Sequence, residues 1–141
     1  MAVIRRRGVA VLAGALLALP MLALTAPAAS ADTNCGSWPG NSIANHDVTS
    51  RTITHGGRTV KIALVNQRLS DHSFAAVRDG YKDGDQTWVD RSSNGGASWT
   101  QCGPFNNKFS NDLLNEGYHM RACVRFNGAS FCTGWYFDHV E

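Results

Sequence analysis

The sequence predicts an all-β fold, a sandwich of two sheets stapled by disulfides. Three observations carry that expectation. Short runs of alternating polar and apolar residues recur between clusters of glycine, asparagine and aspartate. Beyond residue 31 no stretch shows a convincing helical stripe. All four cysteines lie in that same part, and an even number in a small exported domain reads first as paired sulfurs.

Export is read from the start of the 141-residue chain. Arg5, Arg6 and Arg7 form a charged head, residues 9–24 an apolar run, and Ala29 and Ala31 are small residues ahead of a cut. Residues 1–31 are therefore expected to be a secretory signal peptide and residues 32–141 a single mature domain. Without the three arginines the formal charge of +2 turns slightly negative, so no basic footprint for nucleic acid remains. The leader's apolar run is short for a membrane span and no second one follows it. Cys35 follows Asp32, Thr33 and Asn34, residues unsuited to a lipoprotein cut, so no membrane anchor is expected.

The elements follow in order. Residues 49–55 and 58–66 flank Gly56-Gly57, a two-residue turn whose twist suits a hairpin, with Val60, Ile62 and Leu64 on one face. Residues 73–78 form the next run, and residues 79–85 a polar turn region. Residues 86–91 carry Trp88 into a strand, residues 92–96 turn, and residues 97–101 return. From Tyr118, the residues Met120, Ala122, Val124 and Phe126 alternate with His119, Arg121, Cys123 and Arg125. Asn127-Gly128 supplies the strongest short hairpin signal, and residues 129–138 come back with Phe131, Trp135 and Phe137 expected on the face of Val124.

That hairpin sets a register. With Phe126 facing Ala129, Cys123 falls directly opposite Cys132 at a non-hydrogen-bonded position, where Cα atoms approach to about 4.5 Å. A disulfide spans that distance. By elimination Cys35 joins Cys102, although four cysteines permit three connectivities. Chain entropy assigns about 4.4 kcal/mol to the long link and about 2.7 kcal/mol to the short one.

Candidate chemistry is sparse. Asp79, Asp83 and Asp85 cluster in one turn, but their spacing misses the calcium loop and suits ordinary turn chemistry. His46, His55, His72, His119 and His139 show neither helical pairing nor zinc spacing, and solvated or turn positions are the simpler reading. His46-Asp47 or His139 could in principle join a distant serine as a triad, yet no Gly-x-Ser-x-Gly elbow is present. No metal, cofactor or catalytic residue is therefore expected. Aromatic side chains remain. Trp99 and Trp135 are assigned to the core, while Trp38 and Tyr136 are the expected ligand contacts.

Three resemblances bear on function. The segment Ser92-x-Asn94-x-Gly96-x-x-Trp99 resembles the Asp-box hairpin of sialidases and other β-propellers, which implies a loop that bonds to itself and not an active site. Leu114-Asn115-Glu116-Gly117-Tyr118 resembles the approach to strand F in fibronectin type III and immunoglobulin-like sandwiches, which implies that architecture and a corner tyrosine. Trp88-Val89-Asp90-Arg91-Ser92, Gly95-Gly96-x-x-Trp99, Arg121-Ala122-Cys123 and Cys132-Thr133-x-Trp135 together resemble an accessory segment of some exported actinobacterial glycan-degrading hydrolases, with Gly134 in place of a proline. The last resemblance implies a non-catalytic β module in a cell-wall or polysaccharide setting; with the export signal, a secreted, monomeric binding module is expected. A secreted protein-binding effector, such as a hydrolase inhibitor presenting residues 106–115, is the rival expectation; rigid loops lose little entropy on binding.

Overall fold

The computed structural model describes residues 30–32, 35–36, 45–67 and 70–139, and the described residues contain no helix. The strands are β1 (Ser30–Asp32), β2 (Asn45–His55), β3 (Arg58–Gln67), β4 (His72–Asp79), β5 (Gln86–Ser92), β6 (Thr100–Phe105), β7 (Leu113–Leu114), β8 (His119–Phe126), β9 (Ala129–Cys132) and β10 (Tyr136–Phe137). One sheet has the order β2-β3-β4-β7. The other has the order β1-β6-β5-β8-β10, and β9 also pairs with β8. Every pairing is antiparallel except that of β1 with β6. β1 takes in Ser30 and Ala31, which the sequence places in the leader, so a cut after Ala31 would leave only Asp32 of it.

Alternation builds the core. Val60, Ile62 and Leu64 from β3 and Ala75 and Val77 from β4 meet Val89 from β5 and Met120, Ala122, Val124 and Phe126 from β8. All but Phe126 are fully removed from solvent. Such side chains each contribute about 1.5–3 kcal/mol when wholly buried, the two alanines less. The two hairpin turns form where glycine and asparagine accept positive φ: Gly56 and Gly57 at 57° and 73°, Asn127 and Gly128 at 47° and 77°.

The cysteine pairing is as the register requires. Cys123 sits opposite Cys132, with Cα atoms 4.1 Å apart, and the two are bonded. Cys35 is bonded to Cys102 across a separation of 67 residues and anchors the N-terminal segment on β6.

Two departures change which side chains reach the surface. The return strand does not run unbroken to Asp138. β9 ends at Cys132, and when pairing resumes Tyr136 faces Met120 and Phe137 faces His119. Continuing the β9 register would have put Tyr136 opposite His119, so residues 133–135 hold one extra residue, a bulge. Thr133 bridges the gap: its N–H donates to the Ala122 carbonyl at 2.9 Å and its hydroxyl accepts the Ala122 N–H at 3.1 Å. The slip reverses the expected facing. Tyr136 packs against the core beside Met120, while Trp135 leaves the core and Phe137 stacks on His119 at 4.5 Å.

The segment 106–115 is also not a free loop. Lys108 and Ser110 hydrogen-bond to Val77 and Ala75 along the edge of β4, Phe109 bridges Ala76, and β7 continues the pairing onto His72 and Ser73.

Candidate functional site

An open groove of about 410 Å³ lies where the β5–β6 turn meets the corner before β8. It is lined by Arg91, Ser92, Ser93, Ser98, Trp99, Thr100 and Tyr118. Its size is within the range that holds a small ligand. The turn that forms one wall is tied by its own side chains. Ser92 Oγ accepts the N–H of Gly96 at 2.9 Å, and Asn94 Oδ1 accepts the N–H of Ser98 at 2.9 Å. Asn94 also donates through its amide nitrogen to Ser98 Oγ at 2.8 Å. Short polar side chains that bond to nearby backbone hold such turns rigid.

The tryptophan of the groove is held from behind. Asp90 is buried on the outer face of β5 and accepts the indole N–H of Trp88 at 2.9 Å. Arg121, opposite it on β8, donates from Nε to Asp90 Oδ2 at 2.8 Å. The same guanidinium lies over Trp99 at 4.7 Å and over Trp135 at 4.4 Å, and the two indoles meet edge to face at 6.1 Å. A Cβ on Gly96 would collide with the Trp135 indole, so glycine is what lets the turn close over that ring. Trp88, Asp90, Arg121 and Trp135 thus set the place of Trp99, and stacked cationic and aromatic groups of this kind hold one another by about 0.5–2 kcal/mol each.

Electrostatics differ between β5 and the turn that leads into it. Burial pushes the Asp90 carboxyl above the ordinary range, and the hydrogen bonds and charge of Arg121 with the Trp88 indole only partly oppose it. Burial also presses Asp85 upward, but there the Arg58 fork and the Lys82 N–H prevail and hold it below the ordinary value.

The sequence-derived candidates fall as follows. Trp38 lies outside the described residues. Tyr136 is half-buried against the core; its hydroxyl donates to Asp138 at 3.4 Å, and burial followed by the Asp138 charge raises its pKa. It pairs with Met120, the strand neighbour of Arg91, but faces the core and is not among the groove residues. Trp99, expected in the core, lines the groove instead. Asp85 is committed to Arg58 and Asp79 to the Gly80 N–H, so only the exposed Asp83 of that turn carries no such bond among the described residues. Asp90, Cys123 and Cys132 place three potential metal-ligand atoms within 4.8 Å, but both sulfurs are spent in the disulfide and Arg121 occupies the carboxylate. Asp47 pairs with Arg78 and does not orient His46. Ser73 is fully buried, donates to Asn66 and accepts from Asn115 at 2.7 Å, which makes it a packing pin.

Sequence reasoning missed Arg91, Arg121 and Tyr118 as site residues. Arg121 carried a usable signal, because it alternates with the core residues of β8 and must therefore point outward beside Cys123. Comparison of the chain with protein-family models, curated proteins and solved structures finds no match.

Proposed function

We propose that this protein is a small secreted, non-catalytic binding module that engages extracellular or cell-wall polysaccharide through the groove of Trp99, Tyr118 and Arg91. The observation that carries the reading is the pairing of two half-buried aromatic rings with hydroxyl groups in one pre-formed groove. Sugar rings stack their C–H faces on aromatic side chains while their hydroxyls find polar partners at the rim. Rigid backing by Arg121 and the self-bonded turn lowers the entropic cost of binding. Two disulfides are typical of extracellular proteins and agree with export. A fibronectin-like identity for the sandwich is supported by the order β6-β5-β8 followed by the return strands, with β4 joined to β7 in the opposite sheet and Tyr118 at the corner before β8. The test is retention of the folded protein on insoluble cell wall, chitin and cellulose. Retention on at least one, lost in Trp99→Ala and Tyr118→Ala, supports the reading; passage through all of them overturns it.

A second reading, the protein-binding effector, has its own observation. Phe109 and Leu114 are the exposed large hydrophobic side chains of the described residues, at 44% and 42%, and both lie on the segment along the β4 edge. Inhibition of secreted proteases or amylases, abolished by Phe109→Ser, would favour it over the glycan reading.

A further inference from the structure

Taking the groove as the glycan site, on which this step rests, we infer that it selects sugars bearing a carboxylate, with the Arg91 guanidinium as their counter-ion. Three arginines of the described residues have an aspartate: Arg58 pairs with Asp85, Arg78 with Asp47 and Arg121 with Asp90. Arg91 differs. It is half-buried, lies over the Tyr118 ring at 4.6 Å and makes one long contact, from Nη2 to the Cys35 carbonyl at 3.4 Å. Among the described residues no carboxylate pairs with it.

A guanidinium has five N–H donors in a flat fork and no acceptor, and partial burial strips it of water. The tyrosine face offsets part of that loss and also fixes the plane of the fork. Arg91 is the sole charged residue of the groove lining, whose other members are Ser92, Ser93, Ser98, Trp99, Thr100 and Tyr118. The groove therefore presents a positive, oriented fork at one point and neutral hydroxyls elsewhere. A neutral sugar satisfies the rings but leaves the fork to water. A uronic acid or another carboxylated sugar satisfies both, through a two-pronged charged bond of the strong kind.

The experiment titrates the protein with short oligogalacturonates, hyaluronan oligosaccharides and muramic-acid-containing wall fragments, each beside its methyl-esterified counterpart. Acidic forms are expected to bind at least about tenfold tighter than their esters, with the preference shrinking as salt rises. Arg91→Gln is expected to erase that preference. Arg91→Lys retains the charge without the fork and is expected to keep only part of it. Ser93→Glu, at an exposed position on the groove wall, is expected to weaken the acidic forms selectively in a protein whose melting curve is unchanged. Equal binding of acids and esters overturns the carboxylate inference and leaves the glycan reading standing. Binding to none of the sugars overturns the carboxylate inference, and passage through cell wall, chitin and cellulose as well overturns the glycan reading.

Discussion

Asp85 and Asp90 flank one stretch of chain, each faces an arginine, and the two respond in opposite ways. Asp85 sits at the entrance to β5, where Arg58 reaches it with both prongs and the Lys82 N–H closes the turn at 2.9 Å. Asp90 sits within the sheet, walled by the Cys123–Cys132 sulfurs at 3.4 and 3.9 Å and by the Trp88 indole. Both lose water. At the edge the donors more than replace it, whereas on the sheet face they do not. A salt bridge is thus no single quantity: the same two residue types give a carboxylate held down in one place and pushed up in the other.

The largest expected effect tests the deeper pair. Arg121→Leu leaves Asp90 without its cation and should cost about 3–4 kcal/mol at neutral pH, as for other broken buried pairs. Because protonation removes the buried charge, the cost should shrink near pH 4. Urea titrations at both pH values measure it, and an equal loss at each would break the contrast. Arg58→Leu should cost less, about 2 kcal/mol, since Asp85 keeps the Lys82 amide and stands at the rim of the sheet. The same titrations rank the two, and a larger loss at Arg58 would reverse the comparison.

The smallest effect is the pH dependence, and here the two carboxylates should oppose each other. The folded pKa of Asp85 lies below its ordinary value near 3.8. Its stabilisation is complete above that value and is lost as pH falls through the lowered one. The folded pKa of Asp90 lies above the same ordinary value, so the folded state holds the extra proton. Stability then declines as pH rises from the ordinary value through the raised one. Melting temperatures followed across the acid range should show Asp85→Asn flattening the loss at low pH and Asp90→Asn removing the decline above it. Matching slopes in the two variants would mean that depth does not separate them.

The turns and the short staple were legible because they depend on neighbours in the chain, and the long staple followed by elimination. Asn127-Gly128 and Gly56-Gly57 can adopt positive φ whatever surrounds them, and once the first turn is placed, strand alternation carries Cys123 to Cys132. The site was less legible. Trp135 and Tyr136 exchanged faces because one extra residue entered between Cys132 and Tyr136, and the only local mark of it was Gly134, a glycine within an apparent strand. Arg91 and Arg121 are both basic residues on neighbouring strands, and nothing near either in the chain says that one meets Asp90 while the other meets a tyrosine ring.

What the sequence alone determined, then, is an all-β chain with its two hairpin turns, its short Cys123–Cys132 staple and its apolar stripes, all consequences of backbone preference and period-two alternation over a few residues, with the long Cys35–Cys102 link following by elimination. Only the tertiary structure decided which indoles leave the core, which half-buried arginine keeps no aspartate, and that residues 106–115 lie along the β4 edge. Those outcomes depend on register and on competition for partners across strands far apart in the chain, where a shift of one residue turns every following side chain to the other face.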